Sequence, residues 1–302
     1  MTSSPLSLSA PLPGKDAKKL FVVGQTSRGT LVRYDSKVGH FLPFLSGISA
    51  EFVAFSRDGG RVAYVTYPQG VLWRSKLDGS EPSQLTYPPL HPLESRWSPD
   101  GKQLVFHAAS PGKPKRIYTV SSEGGSAQQL LPDDPNQQVD PDWSADGGKV
   151  VFAGTWGDTE STVRVLDLAT HQVFPLPGSK GLFSPHWSKD GRYIAAEHIN
   201  SSGIVLFDFR TRKWAELVKG HGIAYSNWSA DSRYIYFFRG PDTPGVFRVR
   251  ISDRKVERVA DLTNLPITGF YGFWLGLTPD DSPLLLRDAG SQDIYALDWN
   301  AP

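Results

Sequence analysis

The chain reads as an all-β protein, a seven-bladed β-propeller of four-stranded antiparallel sheets, with six blades as the alternative count. Three observations predict it. A short motif of aromatic residue, Ser, any residue, Asp and Gly, followed by an apolar run, recurs along the whole 302-residue chain. Its copies are spaced like propeller blades. No stretch shows a helical period.

The clearest copy is Trp97-Ser98-Pro99-Asp100-Gly101 before Leu104-Val105-Phe106. The others are anchored at Phe55, Trp143, Trp187, Trp228 and Leu277, and successive anchors lie 42, 46, 44, 41 and 49 residues apart. Each copy reads as a strand end, a tight turn and a second strand. The turn aspartates Asp58, Asp100, Asp146 and Asp190 suit it because Asp accepts hydrogen bonds from backbone N–H groups ahead of it. The Gly that follows takes positive φ without a Cβ clash. Ser232 and Asp281 stand where Gly is expected, so those two turns should be strained by roughly 1 kcal/mol. The aromatic anchors are expected to pack between neighbouring sheets.

Taken in order, residues 1–5 are expected to be flexible. Leu6-Ser7-Leu8-Ser9 alternates like a half-buried strand. Pro13-Gly14-Lys15-Asp16 reads as a decayed seventh anchor, 42 residues before Phe55. Blades are expected near 6–47, 48–88, 89–133, 134–178, 179–219, 220–262 and 263–302, as one domain. Ring closure is the open point. Residues 6–12 are expected to form the inner strand of blade one, with further strands near 19–25, 30–35 and 41–45. Blade seven then keeps three strands, near 270–277, 283–287 and 292–298.

The repeat resembles the TolB-type, WD-like (PD40) propeller repeat over nearly the whole chain. Phe183-Ser184-Pro185-His186-Trp187 and Asp293-Ile294-Tyr295-Ala296-Leu297-Asp298-Trp299 are also similar to the C-terminal propellers of bacterial winged-helix regulators and Ser/Thr kinases. The resemblance implies a protein-binding or scaffolding repeat protein of bacterial type. A fold alone does not fix function.

Composition narrows the field. The formal net charge is +1, which gives no field favouring nucleic acid or an anionic surface. There is no Cys, and no apolar run of bilayer length. The start of the chain lacks the basic and apolar blocks of a signal peptide, and the compartment, periplasm or cytoplasm, stays open. No Gly-x-Ser-x-Gly elbow, His-Glu-x-x-His or phosphate-cradling loop occurs. No cofactor or metal is expected, and the chain is expected to be a monomer.

Candidate binding residues come from the inner strands, which line a propeller's channel. One position before each anchor stand Ala54, Arg96, Asp142, His186, Asn227 and Gly276; three before stand Phe52, Glu94, Asp140, Ser184, Tyr225 and Trp274. Polar residues thus gather in blades three to six. One reading is a ligand cup built from Glu94, Arg96, Asp140, Asp142, His186, Tyr225 and Asn227. The other is a hydrated channel whose polar groups bond across blades. Two functions follow: a non-catalytic module recognising a protein, peptide or small polar ligand within a regulatory or envelope assembly, or a channel-site lyase or hydrolase acting on carbohydrate. Among aromatic residues away from the anchors, Trp156 in a Gly-rich loop is expected to be exposed.

Overall fold

A computed structural model describes residues 6–15 and 18–298. Expectations about residues 1–5, Asp16 and Trp299 fall outside these. The described residues form 27 strands and one 3-10 turn, Leu45–Gly47, with no α-helix. The strands are β1 (Ser7–Pro13), β2 (Lys19–Thr26), β3 (Gly29–Asp35) and β4 (His40–Pro43). Then come β5 (Ala50–Phe55), β6 (Arg61–Thr66), β7 (Leu72–Lys76) and β8 (Ser83–Gln84); and β9 (His91–Trp97), β10 (Gln103–Ser110), β11 (Lys113–Ser121) and β12 (Gln128–Gln129). They are followed by β13 (Val139–Trp143), β14 (Lys149–Ala153), β15 (Arg164–Asp167) and β16 (Val173–Pro175), and by β17 (Leu182–Trp187), β18 (Tyr193–His198), β19 (Gly203–Asp208) and β20 (Lys213–Lys219). Last come β21 (Ile223–Trp228), β22 (Tyr234–Arg239), β23 (Gly245–Arg250), β24 (Val256–Asp261), β25 (Leu275–Leu277), β26 (Pro283–Asp288) and β27 (Ser291–Asp298).

These strands make seven antiparallel sheets, six with four strands and one with three. Blades two to six are the consecutive quartets from β5 to β24, each in meander order. Blade seven is ordered β25-β26-β3-β4, and β1-β2-β27 form the three-stranded sheet. The inner strands β5, β9, β13, β17, β21 and β25 pack in succession, and β25 returns to β5. The ring therefore has six blades, the alternative count, and the seventh sheet stands outside it.

The strand partition at closure corrects the expectation. The strands at 29–35 and 40–43 complete blade seven rather than blade one, and 291–298 leaves blade seven for the terminal sheet. The cause is one unbroken register. Thr26 faces Ser291, and three residues on Gly29 faces Asp288, so β2–β3 and β26–β27 form a single long ribbon. Its ring half buries Leu31, Val32, Leu284, Leu285 and Leu286 completely. Its other half leaves Ile294 77% exposed, and β1 beside it leaves Leu12 67% exposed. Burial of apolar side chains, at about 25 cal/mol per Å², favours giving β3 rather than β1 to the ring. Pro13, where the seventh anchor was expected, is the exposed last residue of β1.

The turns follow a common pattern. In each ring blade the Ser or Thr after the anchor donates its hydroxyl to the turn Asp, as Ser98 does to Asp100 Oδ1 at 2.6 Å. The Ser or Thr oxygen in turn accepts the backbone N–H at the start of the next strand, Ser98 Oγ from Gln103 at 2.9 Å in blade three. The Ser hydroxyls, with the backbone N–H groups of Gly60, Lys102 and Gly148, hold the carboxyls of Asp58, Asp100 and Asp146 below their ordinary range. Gly101 has φ +70°, and Ser232 and Asp281 adopt φ +58° and +61° in its place, the strained conformation expected of them.

The anchors pack between blades. Trp97, Trp143, Trp187 and Trp228 are each 7–8% exposed. Three of their indoles donate to the preceding blade: Trp97 to Ala54 O at 3.0 Å, Trp143 to Arg96 O at 3.1 Å and Trp228 to His186 O at 2.9 Å. Trp187 instead donates to Gly191 O in its own turn. Phe55 is half-buried and meets Phe44 of the preceding loop at 6.3 Å.

Candidate functional site: the central channel

The channel residues occupy two tiers, because five of the six inner strands, all but β25, are bulged. Phe52, Glu94, Asp140, Ser184 and Tyr225 all have positive φ, and the strand registers shift at or beside those residues. A bulge turns the extra residue out of the ladder and re-aims its side chain. The position three before the anchor is therefore set deeper than the position directly before it. Sequence reading found both sets by alignment but missed the bulge, for which five different residue types carry no common signal.

The outer tier opens among the Asp-Gly turns. A cavity of about 480 Å³ is lined by all six ring blades, with Arg96, Asp142, His186 and Asn227 on its walls and the turn residues of every ring blade around it. All these turns thus lie at one mouth. The four polar residues expected to converge do so, with different amounts of bonding capacity left over.

Asp142 is committed to the backbone. Oδ1 accepts Trp143 N–H at 2.8 Å, and Oδ2 accepts Trp187 N–H of the next blade at 2.9 Å. It thereby joins blades four and five where the Trp187 indole does not reach back. Burial pushes its carboxyl up to about 6, against the pull of Arg96 and these two N–H groups. Asn227 similarly donates Nδ2 to Tyr225 O and across to Leu275 O of blade seven, at 2.9 and 3.1 Å.

Arg96 and His186 retain capacity. The Arg96 guanidinium makes one 3.2 Å bond to Ser95 O and lies 4.0 Å from Glu94 Oε2, with 22% of its side chain exposed. His186 Nε2 is 3.4 Å from Ser184 Oγ, and its buried Nδ1 has no hydrogen-bond partner. Burial, reinforced by Arg96, pushes the His186 pKa well down and keeps the ring neutral.

The inner tier is acidic. Glu94 and Asp140 face one another; burial raises the Glu94 carboxyl against the pull of Arg96 and a hydrogen bond from Asp140, and burial with repulsion from Glu94 pushes the Asp140 carboxyl well up. Asp140 N–H donates to His107 Nδ1 at 3.2 Å, which fixes the imidazole as an acceptor there, and burial keeps His107 neutral. Glu51 accepts Phe270 N–H at 2.8 Å, and Glu197 accepts Ser226 N–H at 2.7 Å. Burial pushes these two carboxyls up to about 8 and about 7. Lys115 donates to the Tyr271 hydroxyl at 2.8 Å, and Tyr225 packs edge-on against Phe273. Sequence reading missed Glu51, His107, Lys115 and Glu197. Three of them lie off the inner strands, and an acidic or basic residue on a second or third strand carries no mark of facing the channel.

Among the described residues no three His, Cys, Asp or Glu side chains come together as a metal-ligand group. Trp156 is 65% exposed on the loop after β14, as expected, and Trp274 is buried. Among the described residues no helix is long and apolar enough to cross a membrane.

No family profile matches the chain. One curated relative, the uncharacterized peptidase YuxL of Bacillus subtilis (strain 168), is 32% identical over 117 residues. That stretch is 35% of this chain and 17% of the relative, so the match spans about a sixth of the relative's length. A structure assigned as TolB from Agrobacterium tumefaciens superposes with a TM-score of 0.67 at 18% identity, covering 87% of this chain and 99% of its own. TolB from Acinetobacter baumannii gives 0.58 at 16% identity, over 93% and 68%. A chain of a nidogen/laminin complex gives 0.62 at 12% identity, over 80% and 93%. With these superpositions and the six-bladed ring, the fold of this chain is the TolB-like β-propeller.

Proposed function

We propose that the protein is a non-catalytic recognition module that binds a protein, peptide or small polar ligand at the turn-side mouth of its channel, within a larger bacterial regulatory or envelope assembly. The observation that carries this reading is the outer-tier cavity. It is concave, drawn from all six blades, and has in its wall a partly exposed guanidinium and a buried imidazole nitrogen without a hydrogen-bond partner, 3.9 Å from Asp142 Oδ2. Sites of this kind fix a ligand by a few polar groups on a rigid wall. Arg96 suits a carboxylate or another planar acceptor. Neutral His186 supplies a donor or acceptor at Nδ1, according to its tautomer. Asp142 and Asn227 act mainly by holding the blades, and so the two ligand groups, in place. The matching chain of the nidogen/laminin complex was solved in a protein assembly, which supports a protein or peptide partner.

The test is a thermal-shift screen of zwitterionic and anionic small molecules and short peptides, followed by titration of variants. Arg96→Ala and His186→Ala are expected to weaken binding by roughly 2 kcal/mol or more each, with the fold intact. If both bind like the parent while Trp214→Ala on the outer strand of blade five abolishes binding, the site lies on the blade edge and this reading fails.

A further inference from the structure

The sheet of β1, β2 and β27 takes no part in the ring, and its two edges differ. β1 carries Pro11 and Pro13, and its register is broken at Ala10, which has φ +49°. Proline has no N–H to give and a bulge turns an edge away, so β1 is closed to further pairing. The outer edges of the six ring blades are closed as well. β8 and β12 have two residues each, β16 has three, and the four of β4 end in Pro43. β20 bears Lys213, Glu216 and Lys219, β24 bears Glu257, Arg258 and Asp261, and each is bulged against its neighbour.

β27 has none of these devices beyond two aspartates, Asp293 and Asp298. It pairs with β2 in unbroken register from Ser291 to Asp298, all eight of its residues are exposed, and no proline interrupts them. Ile294 is 77% exposed, and Tyr295 and Leu297 38% each. A regular, partly apolar strand thus leaves its outer backbone N–H and C=O groups open, which is the template for adding another strand.

The strand is complementary to itself. A closed two-fold dimer of antiparallel strands requires one residue to face its own copy. With Tyr295 in that place, Ile294 faces Ala296 of the second copy, Asp293 faces Leu297 and Gln292 faces Asp298. No like charges meet, an aromatic pair sits on the axis, and the Gln292 amide faces a carboxylate. The same arrangement keeps the rings apart. Each ring joins its β27 at the Ser291 end, and those two ends lie at opposite ends of the shared sheet, about 20 Å apart for seven paired residues.

We propose that the chain forms a two-fold dimer by pairing β27 with β27 of a second copy, with Tyr295 on the axis, so that the two terminal sheets become one sheet of six strands. A second copy fits better than an unrelated strand, because one register closes both open edges at once and separates all four aspartates. The dimer replaces the monomer expected of the sequence and leaves the turn-side mouth of each channel free.

The experiment is sedimentation equilibrium of the full chain from micromolar to submillimolar concentration. The mass is expected to rise to twice that of one chain. The double variant Ile294→Lys/Ala296→Lys sets ammonium groups opposite one another on both sides of the axis, at exposed positions, and should sediment as a monomer with unchanged circular dichroism. Leu12→Lys, at an exposed position on β1, should leave the dimer intact. The chain has no Cys, so Tyr295→Cys adds a single thiol, which diamide should oxidise to a disulfide-linked dimer. Ile294→Cys should not crosslink, because its two copies lie two residues out of register, beyond disulfide reach. Tyr295 packs over Gly24. If Tyr295→Cys does not fold, an equimolar mixture of Ile294→Cys and Ala296→Cys decides, and it should crosslink where neither variant alone does. The proposal is overturned if the parent is a monomer throughout, which leaves the edge to a strand of another protein. It is also overturned if the double variant stays dimeric, if Leu12→Lys dissociates the dimer, or if Ile294→Cys crosslinks as fast as Tyr295→Cys.

Discussion

Replacing Trp143 by Ala tests the physical link between the blade repeat and the channel. Trp143 is 7% exposed and packs against Val105 of blade three and Val150 of its own blade. Truncating such a side chain costs about 3–5 kcal/mol, because the surrounding sheets collapse only partly into the space. The indole also donates to Arg96 O. Losing that bond leaves a backbone carbonyl short of a partner, which costs about 1 kcal/mol or more. The expected loss for Trp143→Ala is therefore about 4–6 kcal/mol. Trp143→Phe separates the two contributions. It keeps most of the packing and loses the bond, so it should cost about 1–2 kcal/mol. Trp187 is the control, because its indole bonds within its own turn. Trp187→Phe should destabilise without disturbing Arg96, whereas Trp143→Phe should also weaken ligand binding at the outer tier. Urea unfolding gives the stabilities, and titration with the ligand found in the screen gives the binding. The reasoning is refuted if Trp143→Ala unfolds within about 1 kcal/mol of the parent, or if the two Phe variants affect binding alike.

Three further outcomes are expected. Glu51 carries a carboxyl pushed up to about 8 from an ordinary 4.5, so the folded chain holds its proton across a range where the unfolded chain has lost it. Stability contributed by that proton is present below about pH 4.5 and is lost as pH rises toward 8, by roughly 2–4 kcal/mol. Urea midpoints measured from pH 5 to pH 9 should fall, and Glu51→Gln should flatten the decline; an unchanged slope would contradict the assignment. Ser144→Ala removes a buried hydroxyl that joins Asp146 to Lys149 N–H, and should cost about 1–2 kcal/mol in denaturant unfolding, with a smaller loss counting against the turn's role. Gly101→Val meets no atom within 4 Å but forces a β-branched residue to φ +70°, so a cost of about 1–2 kcal/mol is expected from backbone strain alone. A neutral result by thermal unfolding would show that the turn relaxes.

The blade repeat was legible because its turn has a chemical requirement that few residues meet. Asp58, Asp100, Asp146 and Asp190 each accept backbone N–H groups two residues on, and a left-handed residue follows. The Ser beside each anchor was visible in the same alignment, yet its double bond to the Asp and to the next strand needed coordinates to see. Ring closure was not legible. The β1 residues alternate well enough to pass for an inner strand, and only the register of β3 against β26 shows which terminus the ring takes up. The channel was legible by tier and not by role. Asp142 and Asn227 look like ligand groups in the sequence, and in the fold their bonds run to Trp143, Trp187, Tyr225 and Leu275 backbone atoms. Glu51 and Glu197 look like ordinary strand residues and become acidic channel groups only through the bulges beside them.

The most direct test of recognition at the turn-side mouth is a crystal structure of the chain with the tightest ligand from the screen. The account predicts that the ligand occupies the cavity bounded by Arg96, His186 and the six blade turns, with a polar atom in hydrogen-bond range of the Arg96 guanidinium and of His186 Nδ1. A ligand seated instead on the outer strand of blade five beside Trp214, or on the terminal sheet of β1, β2 and β27, with the channel unchanged, would contradict it.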